Sequence, residues 1–268
     1  MKFSVLMSVY AKDDPDNFRD ALVSIWDNQT LRPAQIVLIV DGPISYNLRE
    51  IIDEYSKKLG DILTVYFNPE NLGLAKSLNI GIGICKYSFV ARMDSDDVAM
   101  PERFALQFDF LEKNPQIDCL GGSIIELNYD FSTEYSKITK PAFHSEIVKY
   151  SKFRCPFNHP TVVFRKDSIV SSGGYPLIFP EDYILWVNMI LNGFKLANIE
   201  PVILKMRTGS DFLRRRGLLN SFGMIKTFWY MYNRGFIGLA NFVFASMIHV
   251  GIRISPLAIK GFFYRNFR

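Results

Sequence analysis

The stretch Ser88-Phe89-Val90-Ala91-Arg92-Met93-Asp94-Ser95-Asp96-Asp97 decides the fold class of this 268-residue chain. Its first six residues read as a buried strand, and that strand stops in a tetrapeptide with three acids. Neighbouring carboxylates repel one another, so such a cluster needs cations or water around it. In open α/β sheets the carboxyl ends of strands are where ligands bind, and hard divalent cations take carboxylate oxygens and bridge them to phosphate. The stretch therefore points to an α/β sheet whose edge carries a Mg²⁺ or Mn²⁺ site that receives a diphosphate. The competing reading is an acidic, solvated turn that caps the helix beginning at Pro101.

Short apolar runs and helix-like stretches alternate around it, the signature of βαβ units and a mostly parallel sheet. Upstream, strands are expected over residues 3–9, 35–40 and 63–67. Helices are expected over 15–26, where Asp14-Pro15 supplies a cap and a first-turn proline, and over 48–59 and 74–84. Downstream, a helix runs from Pro101 to Lys113, strands follow over 119–127 and 161–165, then a helix over 181–191 and a last strand over 197–205. The remainder reads as helices over 220–232 and 235–252, with a short third opening at Pro256. The second of these would reach about 27 Å at 1.5 Å per residue, just short of the ~30 Å hydrocarbon core of a bilayer. Its flanking charges and aromatics fit a helix lying in the headgroups better than one that spans; an ordinary core helix packed on the body is the alternative.

With 49% apolar residues the chain can bury the core of one α/β domain, and its composition excludes a disordered, collagen-like or disulfide-framed protein. Cys85, Cys119 and Cys155 have no C-x-x-C spacing, which argues for a reducing compartment and against a zinc site. Charge divides the chain. Residues 1–204 hold 20 Lys/Arg against 26 Asp/Glu, whereas the rest hold 11 Lys/Arg against Asp211 alone, together with 13 of the 39 aromatics. An acidic body with a basic, aromatic tail suggests an anionic membrane surface or a nucleic acid as the tail's partner. Met1-Lys2 leads straight into the first strand without a signal-like h-region, so the protein is expected on the cytosolic side.

Other candidates lie on the same edge. Asp41 ends the second strand, where an acid can accept from a base N–H or a ribose hydroxyl; it can equally be a turn residue before Gly42-Pro43. Glu181-Asp182 opens an apolar helix, and a carboxylate there is held by orphan N–H groups yet can still take a proton. A plain N-cap is the alternative. His159 and Trp186 are candidates to line an acceptor pocket, although a histidine before Pro160 is as often structural. No G-x-G-x-x-G, Walker A or G-x-S-x-G pattern occurs, which argues against NAD(P) enzymes, P-loop NTPases and triad hydrolases.

In order and spacing these pieces resemble family 2 glycosyltransferases of the GT-A fold. The pieces are Ser4-Val5-Leu6-Met7-Ser8-Val9-Tyr10, Val40-Asp41-Gly42, Asn71-Leu72-Gly73-Leu74-Ala75-Lys76-Ser77-Leu78-Asn79, Met93-Asp94-Ser95-Asp96-Asp97, Met100-Pro101-Glu102-Arg103, Gly173-Gly174-Tyr175 and Pro180-Glu181-Asp182-Tyr183-Ile184-Leu185-Trp186. The resemblance implies a GT-A domain over residues 1–205, followed by a membrane-associating helical tail over 206–268. It implies that Tyr10 and Asp41 contact uridine, that Asp96 lies on the ribose side, that Asp97 holds the metal, and that Asp182 is the base. Many relatives carry Arg where this chain has Leu78, so Lys76 would supply that charge. The Q-x-x-R-W motif of processive synthases is missing; Arg214-Arg215-Arg216 stands in a comparable region without the Trp, which favours single addition.

Closer still, the chain resembles bacterial enzymes that extend GlcNAc-diphosphoundecaprenol in O-antigen or exopolysaccharide assembly. That resemblance implies a UDP-sugar donor, Gal or Glc added in β-1,3 linkage, a polyprenyl-diphosphate acceptor, no nucleic-acid partner, and a peripheral place on the cytoplasmic face of the inner membrane. A single base and no carboxylate nucleophile imply inversion. Glu181, His159, Trp186 and Arg214 to Arg216 would lie on the acceptor side. A sugar nucleotidyltransferase would need a Gly-rich N-terminal loop that is absent, and a nucleic-acid binder using the tail would leave the acidic cluster without a purpose.

Overall fold

A computed structural model describes residues 1–208 and 218–254. In chain order the elements are β1 (Ser4–Tyr10), α1 (Pro15–Ile25), β2 (Gln35–Asp41), α2 (Tyr46–Leu59), β3 (Leu63–Phe67), α3 (Leu74–Ile84), β4 (Phe89–Met93), β5 (Val98–Ala99), α4 (Arg103–Lys113), β6 (Cys119–Leu127), β7 (Glu134–Ile138), α5 (His144–Tyr150), β8 (Val163–Arg165), α6 (Lys166–Ser171), α7 (Glu181–Leu191), β9 (Leu196–Arg207), α8 (Leu218–Asn233) and α9 (Leu239–Ile254).

The strands form one sheet in the order β3-β2-β1-β4-β8-β6-β9-β5, with β7 paired to β6. The β1 to β4 half is parallel, as the βαβ pattern requires. Beyond β4 the sheet is mixed: β8 runs antiparallel to β4, β6 antiparallel to β8, and β9 parallel to β6. The expected parallel character thus belongs to the first half. In the second half β8 enters between β4 and β6 antiparallel to both, so strict βαβ succession ends at β4.

Side-chain alternation sorts the core into two layers, because successive strand residues point to opposite faces. Val5, Met7, Ile36, Leu38 and Val40 pack with Phe18, Leu22 and Ile52 of α1 and α2. Leu6, Val37 and Ile39 pack on the other face with Leu78 and Ile82 of α3 and Trp186 and Met189 of α7. The helix ends follow the sequence signals: Asp14 accepts from the amides of Asp16 and Asn17 at the start of α1, and the Ser45 hydroxyl accepts from the Leu48 amide in the first turn of α2.

A third cluster joins Tyr183 and Val187 of α7 to Met224, Phe228 and Met231 of α8 and to Ala245 of α9. The first two tail helices are therefore packed on the body by one face. Strand β9 continues to Arg207, across the expected division at 205/206. No helix among the described residues is long and apolar enough to cross a membrane. Arg214, Arg215, Arg216 and Pro256 lie outside the described residues.

Candidate active site

The carboxylates of Asp94, Asp96 and Asp97 come together at the carboxyl end of β4, with one oxygen from each inside 4.8 Å of the others. Asp97 is 2% exposed. Its Oδ1 accepts from the Arg207 amide at 3.0 Å, while its Oδ2 is buried with no hydrogen-bond partner. Burial, then the charges of Asp94 and Asp96, push the Asp97 carboxyl well above the usual range. Asp96 is exposed by its surface area, and its carboxyl is pushed up to about 6 by desolvation and by the charges of Asp94 and Asp13. Three mutually repelling carboxylates with an orphaned buried oxygen are the donor set that a hard divalent cation satisfies. The residues present fit such an ion.

Distant residues hold this loop. Asp13, after β1, accepts from the Ser95 hydroxyl at 2.8 Å and from the Tyr10 amide at 3.0 Å through one oxygen. Arg207, at the end of β9, donates to the Asp96 carbonyl at 2.8 Å, the Tyr129 carbonyl at 3.2 Å and the Asp20 carboxylate at 2.6 Å. Its guanidinium also lies 4.1 Å from the Phe131 ring centroid. Arg103, of the Met100-Pro101-Glu102-Arg103 piece, is fully buried and donates to the Arg92 carbonyl at 2.7 Å, fixing the end of β4.

On the neighbouring strands Tyr10 pairs in register with Asp41, and Tyr10 is 40% exposed at the rim. Asp41 is buried and accepts hydrogen bonds through both oxygens. Its Oδ1 accepts from the Leu72 amide at 2.8 Å and the Asn68 side chain at 2.9 Å, and its Oδ2 accepts from the Gly73 amide at 2.9 Å. Gly42, at φ +85°, lets the turn sit against this loop, since a Cβ there would lie 2.6 Å from the Asn71 nitrogen. The structure thus spends Asp41 on shaping the Asn71-Leu72-Gly73 turn. Lys76 follows it, exposed in the first turn of α3.

Asn79, near the middle of α3, makes the next link. Its Nδ2 donates to the Tyr175 carbonyl and its Oδ1 accepts from the Tyr175 amide, both at 2.8 Å. Gly174 sits at φ +70°, and a Cβ there would lie 2.6 Å from Asn79 Oδ1. The Tyr175 hydroxyl reaches His159 Nε2 at 2.9 Å. Burial, reinforced by the Arg92 charge, holds the His159 pKa well below its ordinary value, so the ring is neutral. Trp186 has no exposed surface and packs against Phe157, His159 and Tyr175. It stands in the core behind His159 and Tyr175 and has no surface with which to line an acceptor pocket.

Glu181 and Asp182 occupy the first turn of α7. Asp182 Oδ1 accepts from the Tyr183 amide at 2.8 Å, and the Cys155 thiol donates to Oδ2 at 3.5 Å. Burial raises the Asp182 pKa against these two bonds, and burial plus the Asp182 charge raises Glu181. The thiol itself is pushed well above its ordinary value by burial, so it stays protonated. Arg92, 3% exposed and ion-paired to Asp94, lies within electrostatic reach of Asp97, Glu181 and Asp182. The charge of one buried guanidinium thus acts on both the acidic loop and the Glu181-Asp182 pair. Sequence reading missed Asp13, Cys155 and Arg207; only Arg92, inside the quoted stretch, carried a local signal.

Residues 4–174 match Glycosyl transferase family 2. The amylovoran biosynthesis glycosyltransferase AmsE of Erwinia amylovora is 34% identical, over 99% of each chain. The UDP-Gal:alpha-D-GlcNAc-diphosphoundecaprenol beta-1,3-galactosyltransferase of Escherichia coli is also 34% identical, over 99% of this chain and 96% of its own. Among solved structures, S. aureus TarS 1-349 in complex with UDP-GlcNAc aligns with a TM-score of 0.68 at 17% identity, covering 100% of this chain and 76% of that one. The mannosyltransferase PcManGT from Pyrobaculum calidifontis, in complex with GDP-Man and Mn²⁺, aligns with a TM-score of 0.67 at 14% identity, covering 98% and 79%. These two share the fold. With the family matched over most of its length and full-length relatives at this identity, the chain belongs to glycosyl transferase family 2, has the GT-A fold and is a glycosyltransferase.

Proposed function

We propose that the protein is an inverting hexosyltransferase. It moves Gal or Glc from a UDP-sugar to an undecaprenyl-diphosphate-linked saccharide, in β-1,3 linkage to GlcNAc, during O-antigen or surface-polysaccharide synthesis. The observation that carries the reading is the three-carboxylate cluster around buried Asp97, together with the desolvated Asp182, both within the field of Arg92. The full-length similarity to the E. coli galactosyltransferase supports the choice of donor and acceptor.

Asp94, Asp96 and Asp97 would hold Mn²⁺ or Mg²⁺. When bound, the ion supplies positive charge against the diphosphate of the leaving UDP. Tyr10 and Asp96 stand on the nucleotide side of the cleft, with the turn shaped by Asp41 and Lys76 beside it. Asp182 takes the proton of the acceptor hydroxyl as that oxygen bonds to the anomeric carbon. The carbon–oxygen bond to UDP breaks on the opposite face, which inverts the centre. Glu181, His159 and Arg214 to Arg216 are assigned to the acceptor side, and the lipid tether of the acceptor assigns the enzyme to the membrane surface, peripherally and on its cytoplasmic face. The test is a donor screen with a synthetic GlcNAc-diphospho-lipid and linkage analysis of the product. A β-1,3-hexosyl product with release of UDP is expected. Pyrophosphate release, or no transfer from any UDP-hexose, would refute the reading.

A further inference from the structure

The helices that follow β9 bury one face and leave the other apolar. On α9, Ala245 is buried against the body, whereas Leu239, Val243, Phe244, Met247 and Ile248 are exposed, Met247 by 68%. These five share one side of the helix by the spacings i, i+4, i+5, i+8 and i+9. On α8, Phe222 (65% exposed) and Trp229 are exposed at spacing i, i+7, with exposed Lys226 between them on the same stripe. Trp229 lies 5.6 Å by ring centroids from Phe242 and 5.8 Å from Tyr232, which joins the two helices by an aromatic seam. Large apolar faces of this kind are rare on a monomer and mark contact surfaces.

This surface is continuous with the base. Gly223, next to Phe222, abuts Phe179 so closely that a Cβ there would lie 2.9 Å from the ring. Phe179 is 55% exposed, and Leu177 and Ile178 beside it are exposed too. Glu181 and Asp182 follow two and three residues later.

We infer that this ledge, made of the outer faces of α8 and α9 and the Leu177-Ile178-Phe179 loop, inserts into the headgroup region of an anionic bilayer. It thereby holds the base at the depth where a diphospho-lipid acceptor presents its sugar. The choice of lipid over a protein partner rests on charge and residue type. The chain from Lys205 onward holds 11 Lys/Arg against one acid, and exposed Lys226 and Arg234 flank the apolar stripe. Long cationic side chains lay their stems on such a surface and send the charge to phosphates, while Trp and Tyr favour the interface. Among the described residues no helix is long and apolar enough to cross a membrane, and helices with an apolar face and basic flanks lie in the interface plane. The inference rests on the acceptor proposed above, and its test separates the two.

The full chain is mixed with phosphatidylglycerol/phosphatidylethanolamine vesicles at low salt. Wild type is expected to float with the vesicles, and its tryptophan emission to shift to the blue, a shift lost in Trp229→Phe. The double variant Phe244→Ser/Met247→Ser changes only exposed side chains. It is expected to bind vesicles at least about tenfold more weakly, since two apolar side chains no longer leave water, and to keep wild-type turnover on a short-chain, detergent-dispersed acceptor. A wild type that stays with the supernatant, or a double variant that floats like wild type, overturns the inference. So does a discrete dimer that the double variant dissolves, which would give the face to a second copy. Vesicle binding without transfer to any diphospho-lipid would refute the proposed acceptor while leaving the ledge in place.

Discussion

Replacing Asn79 tests whether α3 holds the Gly174-Tyr175 segment in place. Its two bonds to the Tyr175 backbone, each 2.8 Å, are partly buried and lock residues 96 positions apart in sequence. Asn79→Ala removes both and leaves a buried residue's N–H and C=O short of partners. At about 1 kcal/mol net per lost bond, plus some desolvation cost for groups that water reaches only in part, the loss is about 2–3 kcal/mol. For a chain of this size that is a fall in Tm of roughly 5–10 °C. Asn79→Asp separates hydrogen bonding from shape. It keeps the acceptor for the Tyr175 amide but turns a carboxylate oxygen toward the Tyr175 carbonyl. The introduced carboxyl is then protonated more readily in the folded state than in the unfolded one, so its folded pKa is raised. Its destabilisation is full above that pKa and is relieved as pH falls through it, when the acid can donate to the carbonyl. Thermal unfolding of wild type and both variants at pH 7.5 and about pH 5 is the assay. At the higher pH both variants should melt well below wild type, and on acidification the Asp variant should recover relative to the Ala variant. If Asn79→Ala melts within about 2 °C of wild type, or the gap between the variants ignores pH, the two bonds do not hold that segment in place.

Asp97→Asn should reduce Mn²⁺ affinity, read by calorimetry, and lower transfer by about 10²-fold or more, because a metal carboxylate is lost from the cluster; chelation of wild type should do the same, and full activity in EDTA would refute the assignment. Asp182→Asn cannot accept a proton, so kcat should fall about 10²–10⁴-fold with UDP-sugar binding little changed. In wild type, turnover should fall as pH drops through the Asp182 pKa, and burial places that limb above the ordinary carboxylate range. Cys155→Ala removes the thiol that donates to Asp182 and lowers its pKa, so the same limb should move to higher pH, while Cys155→Ser should restore it; an unmoved limb would leave Cys155 as packing alone.

What the sequence made legible is what short-range chemistry encodes. The four parallel strands and their helices follow from apolar runs, caps and turns, and β3, α3, β6 and α7 begin and end where the patterns put them. The acidic cluster was legible because three carboxylates in four residues cannot be ordinary core. Short elements without an apolar run were not: β5 has two residues, and Glu134–Ile138 is mostly exposed and polar. Nor did anything local mark Asp13, Cys155 or Arg207, whose roles come from partners 82, 27 and 110 residues away. Trp186 shows the converse limit. An aromatic beside an acidic pair looks the same in sequence whether it faces a ligand or the core, and here the core takes it.

That the Asp97 carboxylate is anchored by an amide 110 residues later carries a consequence for how the enzyme is made. During synthesis β1 to β4 can pair once Met93 has emerged, before any later strand is made. The acidic loop then stands without its anchor until β9 has emerged and slotted between β6 and β5. Closing so long a loop is slow compared with local pairing. The nascent protein therefore has its parallel sheet well before the acidic loop is anchored, and transferase activity arrives only when nearly the whole catalytic body is in place.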